Sequence, residues 1–343
     1  MSDVTIFAPS PTLTVTIEEH GDEPDIHLHA GGQGVWQARM LRRLGATVTL
    51  CCAFTGEIGR TLRHLLEDEG VDVAGVDRPG KGSAYVHDRR GGERRAIVET
   101  EGEPLGRHDL DELYGVTLRE GLQSRVAILS GPAGDDVLPD DTYRRLAADL
   151  REGGTRVVVD LAGKRLQAAV EGGVDVLKVS DDELEADGLV EDVSPRSLMA
   201  AMRDLRGRGA HVVVVSRATE PLLLLDADGF VEVEPPRLEV ADTRGAGDSL
   251  TAGISAGLAR GEDVRDAIVT AAAAGALNVT RHGLGTGEPE AIARLREAVV
   301  VRELHDESQA DVEQRVTGHV SPDGLAALAD TGGHDDDDAE GSR

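Results

Sequence analysis

The sequence predicts an α/β protein built on a mostly parallel central sheet, and three observations support that prediction. Short runs of Val, Ile and Leu without apolar–polar alternation recur along the chain, which is typical of strands that are covered on both faces. Segments with helical periodicity separate these runs, as crossover helices separate parallel strands. A second set of strands alternates apolar and polar residues, which predicts a smaller sheet with one exposed face.

The N-terminal part of the chain combines both kinds of strand with two helices. Three glycines, Gly31, Gly32 and Gly34, lie between a strand and a helix, which predicts a backbone that approaches a ligand closely. The predicted strands are 4–8, 13–19, 26–30, 47–54, 71–76 and an alternating, highly charged stretch at 83–101. The predicted helices are 35–44, which Gly45 closes, and 59–69.

From residue 125 onward, strands and helices alternate regularly. The predicted elements are strands 126–130, 156–161, 174–179 and 211–216, helices 141–151, 164–171 and 195–208, a hairpin at 222–234, and small-residue helices at 249–260 and 264–281. We expect residues 1–304 to form one domain. Residues 305–343 contain eleven acidic residues against two arginines, which predicts a disordered acidic tail.

The composition excludes several classes of function. The formal net charge is −28, from 64 Asp and Glu against 36 Lys and Arg, so neither a nucleic acid nor an anionic membrane is an expected partner. No apolar run approaches the roughly twenty residues that cross a bilayer, and we expect a cytoplasmic protein. The only cysteines, Cys51 and Cys52, are neighbours on a predicted strand, so they should point to opposite faces and form no disulfide.

The segment 242–249, which reads DTRGAGDS, combines a Gly-rich loop, a carboxylate and a helix start. Gly245 and Gly247 allow main-chain N–H groups to turn toward an anion, and Asp248 is expected at a helix N-terminus. A carboxylate beside an anion hole suits abstraction of a proton from a hydroxyl while the amides stabilise a phosphoryl group in transfer. The alternative interpretation is a Gly-rich turn that Asp248 only caps.

Further candidates follow from the predicted topology, because ligands of a parallel sheet bind outside the carboxyl ends of its strands. These candidates are Ser130, Gly131, Asp160, residues 180–183 and Ser216. The stretch 83–101 adds Arg89, Arg90, Arg94 and Arg95, which form either a solvated hairpin or a lid whose arginines reach an anionic substrate.

Three motifs follow one another along the chain: Gly31-Gly32, the segment 177–183 (LKVSDDE) and DTRGAGDS. In these motifs and their order, the chain resembles the ribokinase-type (PfkB) carbohydrate kinases. Within that family it is most similar to 1-phosphofructokinases and tagatose-6-phosphate kinases, on the stretches 128–143 and 157–163 and on Pro235-Pro236. The resemblance implies a three-layer α/β/α fold and a small β lid formed by residues 13–30 and 83–101. It also implies dimerisation through the lid, and phosphorylation of a sugar hydroxyl by ATP with Mg²⁺.

The resemblance also implies a role for individual residues. Asp248 would be the catalytic base, Gly245, Ala246 and Gly247 would form the anion hole, and Glu183 would hold Mg²⁺ through water. Nucleotide contacts would come from Ser180, Glu183, Ser216, Ala218, Thr243 and, at the adenine end, Asn278. Substrate contacts would come from Thr14, Gly31, Gly32, Gln33, Trp36 and Ser130.

Several of these positions depart from the pattern of the family. Thr14 stands where the family has a carboxylate that grips sugar hydroxyls, and Gln33, Trp36 and Ser83 stand where the subfamily has a lysine, an asparagine and an arginine. On the nucleotide side, Ser180, Ala218 and Pro221 replace an asparagine and two glycines. A hexose phosphate loses two charge-assisted partners, each worth about 1.5 to 3 kcal/mol, which disfavours fructose 1-phosphate bound in the usual way.

The sequence therefore predicts an ATP-dependent kinase for a sugar or sugar phosphate, and two alternatives stay open. One is a ligand-binding or regulatory protein that keeps the kinase fold with weak turnover. The other is a kinase for a different polyol or for a nucleoside. Trp36 would stack on a sugar ring or limit its size in the first hypothesis, although a packing role explains it equally well.

Overall fold

A ten-stranded mixed sheet forms the centre of the protein. The computed structural model describes residues 1–21, 23–92, 94–132, 134, 136–239, 241, 243–280, 285 and 287–304, so the predicted acidic tail and Asp242 lie outside the described residues. The strands of the sheet are β1 (Val4–Phe7), β4 (Val48–Thr55), β5 (Asp72–Arg78), β8 (Val126–Ser130), β9 (Arg156–Asp160), β10 (Val174–Ser180), β11 (Ala210–Arg217), β12 (Glu220–Leu225), β13 (Phe230–Glu234) and β14 (Val300–Leu304).

The order of the strands brings the predicted candidates to one edge. Across the sheet they lie in the order β14-β13-β12-β11-β10-β9-β8-β1-β4-β5. All pairs from β11 to β5 are parallel, and β12 to β14 add an antiparallel border. In this register Ser130 pairs with Asp160, and Ser180 pairs with Ser216, at the carboxyl ends of neighbouring strands.

Helices cover both faces of the sheet, and a separate hydrophobic core lies on each face. One core is closed by α1 (Gln33–Arg43), α2 (Gly56–Asp68), α8 (Ala246–Arg260), α9 (Val264–Asn278) and α10 (Pro289–Arg296). The other is closed by α3 (Arg107–Gly121), α4 (Asp141–Glu152), α5 (Gly163–Gly172), α6 (Asp181–Ala186) and α7 (Pro195–Arg208). Cys51 and Cys52 are free thiols in opposite cores, as the alternation of side chains along a strand predicts.

A second sheet of four strands forms the predicted lid. Its strands are β2 (Thr12–His20), β3 (Glu23–Gly31), β6 (Ser83–Asp88) and β7 (Arg95–Thr100), in the order β3-β2-β6-β7. The predicted three-layer α/β/α fold with a mostly parallel central sheet and a small β lid is thereby confirmed. Within the described part of the chain, no helix is both long enough and apolar enough to span a membrane.

Four elements were not predicted, namely α3, α6, α10 and β14. In α3 only Leu113, Thr117 and Gly121 are buried, so the apolar face is too sparse to give a periodic signal. In β14 both Val300 and Val301 are 42% exposed, and the strand forms because β13 offers a free edge. The predicted boundaries also shift: α8 begins at Ala246 rather than at residue 249, and α9 ends at Asn278 rather than at residue 281.

Candidate active site

The GAGD turn, residues 245–248, forms the first turn of α8. Gly245 is the N-cap and adopts a left-handed conformation (φ 72°, ψ 2°), which costs a residue with a Cβ about 1–2 kcal/mol. Asp248 is the third residue of the helix. The amides of Ala246, Gly247 and Asp248 belong to the first turn and therefore have no carbonyl partner within the helix. The turn combines N–H groups that have no partner within the helix with a carboxylate at the same helix terminus.

Asp248 is only 9% exposed, and its surroundings change its acidity. Burial raises the pKa of Asp248 well above its usual value, and the negative charge of Asp160 raises the pKa further, whereas Lys178 opposes the shift. A carboxylate whose pKa is raised is a better proton acceptor at neutral pH than an ordinary surface aspartate. The site therefore provides a carboxylate suited to general base catalysis.

Lys178 on β10 supplies a buried positive charge behind the GAGD turn. Its Nζ lies 3.1 Å from Oδ1 of Asp160, and the two side chains are only 7% and 2% exposed. Burial alone lowers the pKa of Lys178, but Asp160, Glu183 and Asp248 outweigh burial and raise it, so the ammonium stays protonated. Gly247 permits the close approach, because a Cβ at this position would lie 2.7 Å from Nζ.

Sequence reasoning missed the role of Lys178, although it included the residue in the motif 177–183. The signal was available, since Lys178 interrupts the apolar run of residues 176–179 in the middle of a largely buried strand. Lysine is almost never fully buried unless it is paired. A lysine in such a strand therefore predicts a buried acidic partner, which the structure identifies as Asp160.

Asp160 is the centre of a buried hydrogen-bond network. Its Oδ2 accepts hydrogen bonds from Thr251 Oγ1 at 2.8 Å and from Gln37 Nε2 at 3.1 Å. Gln37 Oε1 in turn accepts a hydrogen bond from Ser130 Oγ at 2.5 Å. Ser130, a predicted substrate contact, is fully buried, so its hydroxyl supports the site from the core. The network fixes Asp160 opposite Lys178.

Glu183 and Ser180 form a capping box at the start of α6. Ser180 Oγ accepts a hydrogen bond from the Glu183 amide at 3.2 Å, and Glu183 Oε2 accepts one from the Ser180 amide at 2.7 Å. One carboxylate oxygen of Glu183 is thus used locally, and the other is not part of the box. Ser216, at the end of the adjacent strand, is half-buried.

The donor set near the GAGD turn suits Mg²⁺ held largely by water. Among the described residues, no three His, Cys, Asp or Glu side chains form a group that could hold a metal ion by themselves. Mg²⁺ commonly keeps several waters and is bound through one or two carboxylates together with substrate phosphates. The remaining oxygen of Glu183 fits that requirement.

Asn278 ties the end of α9 to the loop that precedes the GAGD turn. Its Nδ2 donates to the carbonyl oxygen of Arg244 at 2.7 Å, and its Oδ1 accepts from the Gly285 amide at 3.0 Å. The side chain is 1% exposed. Both polar groups therefore hold backbone in place, and the predicted contact of Asn278 with adenine stays a prediction.

Thr243 and Ala218, two further predicted nucleotide contacts, lie on exposed backbone. Ala218 occupies the short turn between β11 and β12. The predicted strand 211–216 and hairpin 222–234 had left a longer loop, residues 217–221, between them. The φ of Ala218, 24°, is the only positive value at a residue other than glycine within the described residues. The backbone at Ala218 thus has a conformation that glycine adopts more easily, although alanine stands here in place of the glycine that the family has.

A pocket of about 110 Å³ lies where the first glycine cluster meets the end of β8. It is lined by Ala8, Ser10, Pro11, Gly32, Gln33, Gly34, Val35, Gly131 and Pro132. Gln33 Oε1 accepts a hydrogen bond from the Gly131 amide at 2.8 Å, which joins the two sides of the pocket.

The other predicted substrate residues lie around this pocket without lining it. Thr14 and Gly31 are packed together at the base of the lid, since a Cβ on Gly31 would lie 2.5 Å from Thr14 Oγ1. Trp36 is half-buried on α1, and the described lining residues of the pocket do not include it. Of the six predicted substrate contacts, the structure brings Gly32 and Gln33 to the pocket.

A buried carboxylate on the first turn of a helix, at the carboxyl ends of parallel strands and in a fold that carries a β lid, defines a phosphotransferase of the α/β/α class. The model of the pfkB family carbohydrate kinases matches residues 6–291. The chain belongs to this family, whose members transfer a phosphoryl group to a sugar hydroxyl.

Relatives and solved structures agree with this assignment. The chain is 28% identical to the ATP-dependent 6-phosphofructokinase isozyme 2 of Escherichia coli (strain K12), over 74% of this chain and 82% of that protein. It is 26% identical to the 1-phosphofructokinase of Vibrio cholerae, over 81% and 87% of the two chains. The structure of Escherichia coli phosphofructokinase-2 in complex with potassium has the same fold, with a TM-score of 0.74, 24% identity, and coverage of 87% of this chain and 99% of the other.

Proposed function

We propose that the protein is an ATP-dependent kinase that phosphorylates a hydroxyl of a sugar or sugar phosphate, with Asp248 as the general base. The observation that carries this proposal is the position of Asp248, a buried carboxylate with a raised pKa on the first turn of α8, where the amides have no carbonyl partner within the helix. The two curated relatives described above, both named as phosphofructokinases, support this substrate class.

In this mechanism one residue of the chain transfers a proton, and others stabilise negative charge. Asp248 accepts the proton of the attacking hydroxyl, which increases the nucleophilicity of the oxygen. The amides of Ala246 and Gly247 stabilise negative charge on the transferring phosphoryl group. Lys178, buried behind Gly247, favours the ionised form of Asp248 and adds positive potential at the same place.

The nucleotide would lie over the carboxyl ends of β10 and β11, near Ser180, Ser216, Ala218 and Thr243. ATP is expected to bring Mg²⁺, which Glu183 would hold through water. When bound, the ion neutralises charge on the phosphates. Asn278 would support this half of the site through the backbone of Arg244.

The proposal is tested by ADP formation with Mg-ATP across a panel of sugars and sugar phosphates. Asp248→Asn should lower kcat by about 10²- to 10⁴-fold, since that is the usual contribution of a general base. The matched control is Asp266→Asn, because Asp266 occupies the same third position of α9 and is exposed. Stabilisation by ATP with no turnover of any acceptor would instead favour a binding or regulatory protein.

We also propose that two copies associate through the outer face of the lid. That face carries Val15, Ile17, Ile26, Leu28, Val86 and Val98, which are paired across the four strands. Ile26 is 60% exposed, and Leu28 and Val98 are each 48% exposed. A contiguous exposed apolar face of this kind is typical of an interaction surface. A tetrameric inhibited form of the Escherichia coli phosphofructokinase-2 is known.

A further inference from the structure

Two glutamines of α1 hold the end of β8. Gln33 and Gln37 are four residues apart, so they lie on the same face of the helix. Gln33 Oε1 accepts a hydrogen bond from the Gly131 amide at 2.8 Å, and Gln37 Oε1 accepts one from Ser130 Oγ at 2.5 Å. Gln33 lines the pocket, whereas Gln37 is fully buried and is not among the described lining residues. The polar amide of Gln37 therefore acts inside the protein rather than on a ligand.

The orientation of the Gln37 amide follows from its two partners. A carboxylate only accepts hydrogen bonds, so the atom that faces Asp160 must be the donor Nε2. Nε2 donates to Asp160 Oδ2 at 3.1 Å, and Ser130 Oγ donates to Oε1 on the other side of the amide. The two hydrogen bonds point the same way, so each polarises the next. The chain ends on the carboxylate of Asp160 and favours its ionised form.

Gln37 is also a donor whose hydrogen bond to Asp160 is not divided between two acceptors. Asp160 Oδ1 faces Lys178 Nζ at 3.1 Å, and Oδ2 accepts from Thr251 as well as from Gln37. The hydroxyl of Thr251 has a single hydrogen, and it lies 2.8 Å from Asp160 Oδ2 and 3.1 Å from the carbonyl oxygen of Gly247. The hold on Oδ2 therefore depends strongly on Gln37.

Asp160 in turn affects the charge around Asp248. Burial raises the pKa of Asp248, the negative charges of Asp160 and Glu183 raise it further, and the positive charge of Lys178 opposes them. These groups reach Asp248 from β9, α6 and β10. Because Asp160 pairs with Lys178, the position of Asp160 also decides how strongly the ammonium acts on Asp248.

We propose that Gln37 is a positioning residue for phosphoryl transfer, which holds Asp160 on Lys178 and thereby sets the charge balance around the base Asp248. This inference rests on the proposed kinase function and extends it to a side chain in the core. Loss of the Nε2 donor favours the protonated form of Asp160, which removes negative charge beside Asp248 and releases Lys178 to act on it. Both effects lower the pKa of Asp248.

The first test is the pH dependence of kcat/KM in Gln37→Met, measured with saturating ATP. The substitution removes both polar groups of the side chain, and the acid limb of the profile should move to lower pH. Asp160→Asn removes the charge itself, so it should move the limb in the same direction by about 1 to 3 pH units, the usual effect of one nearby charge. Gln37→Met should produce a part of that shift. An acid limb that stays in place, or moves to higher pH, would overturn the inference.

A double variant separates this role from a general loosening of the core. Gln37→Met should cause no further shift when Asp160→Asn is already present, because its effect passes through the charge of Asp160. Equal shifts in the two backgrounds would also contradict the inference. Gln37→Leu, whose side chain is shorter, is the second variant if Gln37→Met does not fold.

Thr117→Val is the matched control. It also removes a buried hydrogen bond, from Thr117 Oγ1 to the carbonyl oxygen of Leu113 at 2.8 Å, but on α3 and outside this network. It should lower the free energy of unfolding and leave the acid limb where it is.

If no acceptor is consumed, the proposed kinase function fails, and a direct titration decides the present inference separately. In protein labelled at the carboxyl carbon of aspartate, the NMR signal that Asp248→Asn removes reports the ionisation of Asp248. The midpoint of its titration should lie at lower pH in Gln37→Met than in the unmodified protein. An unchanged midpoint would show that Gln37 does not act on Asp248.

Discussion

At the scale of single residues, the active site depends on one cation among three buried or half-buried carboxylates. The negative charges of Asp160 and Glu183 both make ionisation of the buried Asp248 more costly. Lys178 is the charge that opposes them. A buried ion pair contributes little net stability, but the loss of one partner leaves an uncompensated charge.

Lys178→Met is therefore expected to change the pH dependence of catalysis. Lys178 lowers the pKa of Asp248, so its removal should raise that pKa further, and the acid limb of the kcat/KM profile should move to higher pH. At any one pH within the acid limb, a smaller fraction of Asp248 is ionised in Lys178→Met, so kcat/KM is lower than in the unmodified protein. The measurement is a pH–rate profile with saturating ATP.

Lys164→Met is the matched control, since Lys164 is exposed on α5. Its profile should superimpose on that of the unmodified protein. An acid limb that does not move in Lys178→Met would show that Lys178 does not act on Asp248.

At the scale of elements, the close packing of α8 on α9 holds the GAGD turn. A Cβ on Gly253 would lie 2.4 Å from the Cα of Ala271, and one on Gly257 would lie 2.5 Å from the Cβ of Ala267. The small residues of both helices permit this close approach. Because α9 also carries Asn278, the spacing of these two helices fixes the loop at Arg244.

Gly253→Ala should lower the free energy of unfolding by about 1 to 3 kcal/mol, the usual cost of overpacking. The added methyl group would meet backbone, so the helices must separate. Gly115→Ala in the middle of α3 is the matched control, because a Cβ there meets nothing within 4 Å. That substitution should stabilise the protein by about 0.5 to 1 kcal/mol through helix propensity. Urea denaturation of both variants measures the difference, and equal shifts of the same sign would contradict the prediction.

At the scale of the whole molecule, the two faces of the lid differ in chemical character. Its inner face carries Thr16, Tyr85 and His87, and its outer face is an exposed apolar surface. Strand alternation produces both faces from the same four strands. Any association through the outer face would therefore restrain the strands that carry Thr14 and Gly31, two of the predicted substrate contacts.

Leu28→Asp, placed in the centre of the outer face, should convert a dimer to a monomer in analytical ultracentrifugation. A buried unpaired carboxylate opposes association strongly. Val193→Asp is the matched control, since Val193 is an exposed valine far along the chain, outside the lid. A dimer that persists in Leu28→Asp, or an unmodified protein that is monomeric at all concentrations, would rule out this interface.

Much of the architecture could be predicted because it depends on local patterns. Unalternating apolar runs predicted the central strands to within one or two residues, and strands 126–130 and 230–234 were predicted without error. Alternation predicted the lid strands. The GAGD turn could be recognised because glycine, carboxylate and helix start are contiguous in the sequence. By contrast, β14 depends on the free edge of β13, and α3 has only a weak apolar face, so neither left a local signal.

The sequence by itself determined the fold class, the family and the position of Asp248 on a helix terminus, since each is carried by residues close together in the chain. The tertiary structure alone decided that Lys178 pairs with Asp160 behind Gly247 and that Ser130 supports the site from the core. The physical reason is that charge interactions and hydrogen bonds depend on distance in space. Only the packed fold brings Gln37 within hydrogen-bond range of Asp160, 123 positions away in the sequence.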